Sequence, residues 1–400
     1  MPSPRRGFLL EPPGCAGGAR GRACVRLLHA LWAAALLLGP AACGQDPAGP
    51  ACLAQGCDGA ALCERDPDPE VRGPWPVGAR TVEVAGLVTE VWYPAEPGSA
   101  RGRERVVYDV REELPASERG KIPDRDNPWQ TCECHRDLPL DGARGPYPAV
   151  LFFHGTAAFR TQSLSQATHW ASRGFVVLAA DHPGLYLGDL LAFEGVADLE
   201  GDGRALLAAL RAPAGGLAFL AGHVDAARLA VTGHSAGGKA AAAFSSEPGV
   251  RVIAPMAYAG VAPGTAVESV LVLGALDDQV AAWSRQVEGY AGSPAPKRLL
   301  GIADAGHLVF SDLCAMRNAA GQDLVEIAIE HGVQNASLAA LLWDGCAPEQ
   351  IPPAEGWAIV NHATTAVFEQ VLQCRPAPDF DGLRARHPRV AVLEEDLGGS

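Results

Sequence analysis

Nowhere does the 400-residue sequence hold the roughly 20 consecutive apolar residues that a helix needs to cross a bilayer. It has no G-X-Y period and no internal repeat of fixed length, which excludes collagen-like and solenoid architectures. Charged residues are sparse at 20% while hydrophobic types reach 48%, a balance that excludes a disordered chain and suits a large core. Positive charge is scarce as well. The net charge is −14, and five Arg against one Glu fall within the first 42 residues, so the remainder is more acidic still. A surface of that sign repels nucleic acid and anionic lipid, and we expect no nucleic-acid partner.

What is present begins with an export signal. Arg20, Arg22 and Arg26 precede an apolar run, Leu27 to Leu38, followed by Ala41, Ala42 and Cys43. A basic region, a short apolar stretch and small residues are the parts of a secretory signal. The arrangement resembles the bacterial lipoprotein signal, in which the Cys becomes the lipidated N-terminus, although Pro40 stands where an aliphatic residue is usual. We expect residues 1–42 to be the signal and Cys43 the lipidation site. Cleavage near Ala42 to give a soluble secreted chain is the alternative. Beyond Cys43 eight Cys remain: 52, 57, 63, 132, 134, 314, 346 and 374. An even number in an exported chain predicts disulfides, with the pairing open. Cys132, Cys134 and His135 also suggest a metal site, but no second ligand pair follows at zinc spacing.

Residues 43–78 are rich in Pro, Gly and Cys and read as a tether or a small stapled loop. The main domain is expected over 79–376, with a polar surface excursion at 95–146 and a polar tail at 377–400. Within it, 149–153, 175–179, 228–232, 250–254, 269–273 and 298–302 are short apolar runs of the kind found in strands buried on both faces. Helical patterns fall between them at 161–172, 205–221, 236–245, 280–290, 320–331 and 355–373. Strands alternating with helices predict an α/β fold with a mostly parallel central sheet covered on both faces.

After the third of these strands comes Gly233-His234-Ser235-Ala236-Gly237-Gly238, a G-x-S-x-G motif placed between a buried strand and a helix. A turn that tight strains the Ser backbone and needs Gly two positions away on each side. It lifts the hydroxyl above the sheet and aims the Ala236 N–H at a developing oxyanion. A serine hydroxyl needs a base, and in this arrangement the chain order is Ser, acid, His. Four His follow Ser235, and only His307, in Ala305-Gly306-His307, sits just beyond a strand end. His331 and His362 fall in helical stretches and His387 in the tail. The acid should end the preceding strand, where Asp277 and Asp278 stand side by side. Asp278 is preferred, and the other is expected to cap the following helix. A second oxyanion donor should come from the loop after the first buried strand, His154-Gly155-Thr156, and Thr156 N–H is the candidate. His154, His182 and His234 read as structural. Phe159, Tyr186, Leu187 and Leu190 are candidates for an acyl pocket.

Val91-Trp-Tyr-Pro94, Phe153-His-Gly155, Ala180-Asp-His-Pro-Gly184, Gly233-His-Ser-Ala-Gly-Gly238 and Ala305-Gly-His307 together resemble the α/β-hydrolase superfamily. The likeness is to platelet-activating-factor acetylhydrolases, to bacterial esterases named as predicted dienelactone hydrolases, and to cutinase-like polyesterases. It spans roughly residues 80–310 and implies an α/β-hydrolase fold. It also implies a carboxylic-ester hydrolase with no metal or organic cofactor, acting on a small ester, a lipid or a polyester. Dienelactone hydrolases proper use Cys as nucleophile, where this chain has Ser235. In cutinase-like enzymes the acid stands four residues after a strand-end Gly, which favours Asp278. A non-catalytic surface lipoprotein and an acyltransferase are the alternative functions. The 95–146 excursion and the chain after 310 lie outside the resemblance.

Overall fold

The computed structural model describes residues 53–376 and 380–399. The signal segment, Cys43 and Cys52 lie outside them. In chain order the strands are β1 (Leu53–Gln55), β2 (Ala61–Cys63), β3 (Val77–Val84), β4 (Leu87–Pro94), β5 (Val107–Tyr108), β6 (Gln130–Thr131) and β7 (His135–Arg136). They continue with β8 (Tyr147–Phe153), β9 (Val176–Ala180), β10 (Val224–His234), β11 (Val250–Met256), β12 (Ser269–Ala275), β13 (Lys297–Ile302) and β14 (Val390–Asp396). The α-helices are α1 (Leu164–Ser172), α2 (Leu187–Ala192), α3 (Leu199–Arg211), α4 (Ala236–Ala242), α5 (Trp283–Gly292), α6 (Leu324–Glu330), α7 (Pro353–Leu372) and α8 (Phe380–Arg386).

Ten strands form one sheet in the order β14-β13-β12-β11-β10-β8-β9-β4-β3-β7. From β13 to β9 every neighbour pair is parallel, whereas β4 and β14 run antiparallel to the strands they join. Successive side chains of β8 divide between two cores, as a period-2 strand covered on both faces requires. Val150 and Phe152 pack with Trp170 of α1 and Phe368 of α7. Leu151 and Phe153 pack with Leu206 and Leu207 of α3 and Ala241 of α4 on the other face. This is the three-layer α/β arrangement read from the sequence.

The topology sets the site. From β8 the chain crosses to β9 on one side, then returns to place β10 on the other side of β8. The loops leaving β8 and β10 therefore part in opposite directions at the carboxyl edge of the sheet. Such a switch point leaves a crevice. Because β8, β10, β12 and β13 are parallel, their four following loops all emerge at that edge.

Two segments differ from expectation. Residues 53–78 are laid on the domain: Cys57 is bridged to Cys374, and the buried Arg65 pairs with Glu369 of α7 at 2.8 Å. Farther along, Trp75 donates from its indole N–H to Asp141 at 2.8 Å. The segment read as a polar tail carries α8 and the edge strand β14, anchored by buried Phe380, Leu383 and Val390. Its C-terminal end keeps Glu394, Glu395 and Asp396 exposed, which is why it reads as polar. Cys132 bridges Cys134, and Cys314 bridges Cys346. Among the described residues no helix is long and apolar enough to cross a membrane.

Candidate active site

Ser235 sits at the junction of β10 and α4 with φ 57° and ψ −117°. A non-glycine residue held there costs about 1–3 kcal/mol and persists only when its surroundings enforce it. Here they do. Ser235 N–H donates to Met256 O of β11 at 2.9 Å. A Cβ on Gly237 would lie 2.2 Å from Phe153 O and 2.6 Å from His154 O, and one on Gly233 would lie 2.5 Å from Gly237 O. Both flanking glycines are thus required by backbone approaching backbone, not by flexibility. Ala236 begins α4, so its N–H is one of the donors a helix start leaves without an intrahelical partner.

The loop after β8 lies against this elbow. A Cβ on Gly155 would meet His234 Nδ1 at 3.0 Å. Gly155 N–H donates to Gln162 Oε1 at 2.8 Å, and Ala157 N–H donates to Leu185 O at 3.0 Å, with Ala157 at φ 59°. Between these two fixed donors, Thr156 N–H has no partner among the described residues. His154 braces the same loop. Its Nδ1–H donates to Gly155 O at 2.8 Å, and its Nε2 accepts from His182 N–H at 3.1 Å. Burial, reinforced by neighbouring His182, pushes the His154 pKa down to about 3, so the ring is neutral and structural.

His307 follows β13 in a short 3₁₀ turn, and its ring is buried. Its Nδ1 lies 2.8 Å from Asp278 Oδ2. The second Asp278 oxygen accepts from Val280 N–H at 2.8 Å and Ala281 N–H at 2.7 Å. One carboxylate therefore orients the imidazole and ties its own loop. The helix cap expected of the bystander is not formed by either aspartate: Asp277 is exposed, and α5 begins at Trp283 without a side-chain cap. His331 binds Asp126 and His387 binds Glu70, both away from Ser235.

His234, the residue before Ser235, contacts His307. Its ring centroid is 4.5 Å from that of His307, and its Nε2–H donates to His307 O at 2.9 Å. Burial, with His307 beside it, holds the His234 pKa well below the ordinary imidazole range. The residue next to Ser235 in the chain thus packs on and bonds to His307. Among the described residues, the Ser235 hydroxyl has no hydrogen-bond partner; contacts of this kind commonly close when substrate binds.

Asp344 was missed by the sequence reading. Its Oδ2 accepts from His307 N–H at 2.8 Å and from Gln279 N–H at 3.0 Å, and its carbonyl accepts from Leu308 N–H at 2.8 Å. One side chain thereby joins the loop of His307 to the loop of Asp278. No sequence signal marks it beyond its position two residues before Cys346.

Of the pocket candidates, Phe159 and Leu187 line an apolar cavity beside this edge, with Leu191 one helical turn beyond Leu187. Tyr186 faces a separate polar cleft with Glu113, Arg160 and Asp181. Leu190 lines neither.

Strand order, elbow and the carboxyl-edge location of these loops define the fold of the α/β-hydrolases. Residues 129–184 match the family model described as platelet-activating factor acetylhydrolase, isoform II. A ferulic acid esterase from Streptomyces cinnamoneus shares the fold with a TM-score of 0.56 and 19% identity, over 80% of this chain and 96% of that one. No curated protein matches the sequence.

Proposed function

We propose that the chain is a serine carboxylic-ester hydrolase working through an acyl-enzyme on Ser235. The observation that carries this reading is the Asp278–His307 hydrogen bond, 2.8 Å long and buried, beside a strained serine elbow at the same sheet edge. The family match and the esterase fold neighbour support it.

In the first step Ser235 Oγ attacks the ester carbonyl carbon while His307 Nε2 takes its proton. Asp278 holds Nδ1–H and stabilises the imidazolium that forms. Ala236 N–H and Thr156 N–H receive the oxyanion. His307 then gives the proton to the departing alcohol, leaving the acyl group on Oγ. A water, deprotonated by His307, attacks that acyl carbon and releases the acid and free Ser235. None of these steps calls for a metal or an organic cofactor.

Replacing Ser235 with Ala tests the reading. Turnover of short p-nitrophenyl esters and labelling by a fluorophosphonate are both expected to vanish while the circular dichroism spectrum is kept. Unchanged hydrolysis by S235A would end the proposal. A parent chain that neither hydrolyses esters nor takes the label would favour a binding protein on the same fold. Three disulfides support an oxidising compartment outside the cytosol. Anchoring through Cys43 rests on the signal sequence alone.

A further inference from the structure

Two small apolar clusters stand outside the cores that hold the sheet. One joins Val110, Phe159, Leu308 and Leu313; the other joins Leu114, Leu191, Ile327 and Ala336. Leu187 packs against both. Between them lies a cavity of about 80 Å³ whose wall also includes Thr156 and Ala157. Thr156 carries the proposed oxyanion donor, and Leu308 directly follows His307, so the inner cluster borders the reacting centre.

The walls come from segments that the sheet does not need. The 95–146 excursion supplies Val110, Leu114 and Ile122, and the chain after 310 supplies Leu313, Ile327 and Ala336. Interiors close-pack because a void forfeits contacts for every group that lines it. A void kept between two apolar clusters, at the mouth of a catalytic crevice, is therefore space for a ligand. Its chemistry is restricted. The Arg111 guanidinium is engaged by Asp109 at 2.6 Å and Asp124 at 2.7 Å, and Asn127 Nδ2 donates to Asp109 at 2.8 Å. Arg111, the charged group at the wall, is thus engaged, and Asn127 Oδ1, buried there without a partner, is a neutral acceptor, so no free charge is left to meet a charged substituent.

We propose that this cavity binds the acyl part of the substrate, and that the acyl part is uncharged and apolar. The assignment rests on Ser235 as nucleophile, since it places the ester carbonyl at Thr156 with the acyl chain running from Leu308 toward Ala336. The outer wall is a loop closed by the Cys314–Cys346 bridge, which spans 32 positions and holds that wall without help from the sheet.

The test is a panel of p-nitrophenyl esters from acetyl to palmitoyl, assayed with the full chain and with Ala336→Trp. The tryptophan is expected to cut kcat/KM at least tenfold for the longest well-used acyl group while leaving the acetyl ester within about threefold. Leu191→Ala is expected to move the optimum toward longer chains. A proportional change across all lengths, or an unmoved profile in both variants, overturns the proposal. So does an acyl-length optimum that shifts with the alcohol when the panel is repeated with methyl esters. A binding arm is independent of catalysis. Calorimetric titration with 1-octanol is expected to show saturable binding to the parent and to Ser235→Ala alike, weakened at least tenfold by Ala336→Trp. Octanol binding without ester turnover would sink the Ser235 reading and keep the cavity; turnover without saturable octanol binding would sink the cavity and keep Ser235.

Discussion

Asp344 Oδ2 accepts the backbone N–H of His307 at 2.8 Å, so a residue in the segment closed by the Cys314–Cys346 bridge fixes the candidate base. The same oxygen accepts Gln279 N–H at 3.0 Å, next to Asp278. Asp344→Ala should free both loops, lowering kcat by about tenfold or more with a smaller change in KM, since a misplaced group costs steeply in rate. Asp344→Asn keeps an acceptor oxygen and should restore most of the activity. Equal losses in the two variants would mean that charge, not placement, is what Asp344 supplies.

Asp277 and Asp278 are separable by the same logic. Asp278 is buried against His307, and Asp277 faces solvent. Asp278→Asn should reduce kcat by about 10³–10⁴-fold through the wrong imidazole tautomer. Asp277→Asn should stay within about threefold. A steady-state assay of both on one ester decides the assignment, and a larger loss at Asp277 would reverse it.

The turn at Ser235 was legible because its demands are local. The buried part of a parallel strand is a near-continuous apolar run, as at Leu229 to Val231, and the elbow needs Gly233 and Gly237, so β10 and its motif declare themselves. His307 was legible because it alone among the later histidines follows a strand. Choosing between Asp277 and Asp278 needed knowledge of which way each side chain turns. Asp344 left no trace, because its role is a contact 37 positions away from His307. The walls of the apolar cavity were hidden for a related reason. Val110, Leu114 and Ile122 are spaced in 3₁₀ turns and loops, so no period of 2 or 3.6 marks them as core. The edge strand β14 was hidden because its second half, Glu394 to Asp396, is exposed and acidic.

Gly237→Ala tests whether the elbow is enforced by close packing. The added methyl would lie 2.2 Å from Phe153 O, which is backbone and cannot rotate away. A loss of about 2–4 kcal/mol is expected from strain of this kind. Urea unfolding should show the midpoint falling with the slope unchanged. A variant as stable as the parent would mean that β8 and the elbow can separate at little cost.

Glu113 supplies a pH dependence that ties the excursion to the loop after β8. Its carboxyl shares the Arg160 guanidinium with Asp181, at 3.0 Å from Arg160 Nη1, and Arg160 directly follows Phe159. Burial, with Asp181 adding to it, raises the Glu113 pKa to about 8, against the opposing effect of Arg160 and the more distant Arg119. The folded chain thus holds a proton that the unfolded chain releases near its ordinary value of 4.5. This contribution to stability is complete below 4.5 and is lost as the pH rises through about 8. Buried Asp312, raised to about 7, shifts stability in the same direction, so the parent must be compared with Glu113→Gln at each pH. The difference in Tm, parent minus variant, should fall steadily between pH 5 and about 8 and flatten above it. At pH 9 the glutamine chain should be the more stable, because it places no second negative charge beside Asp181. A difference in Tm that is constant over this range would show that Glu113 is ionised in the folded chain from the outset, with Arg160 balancing both carboxylates.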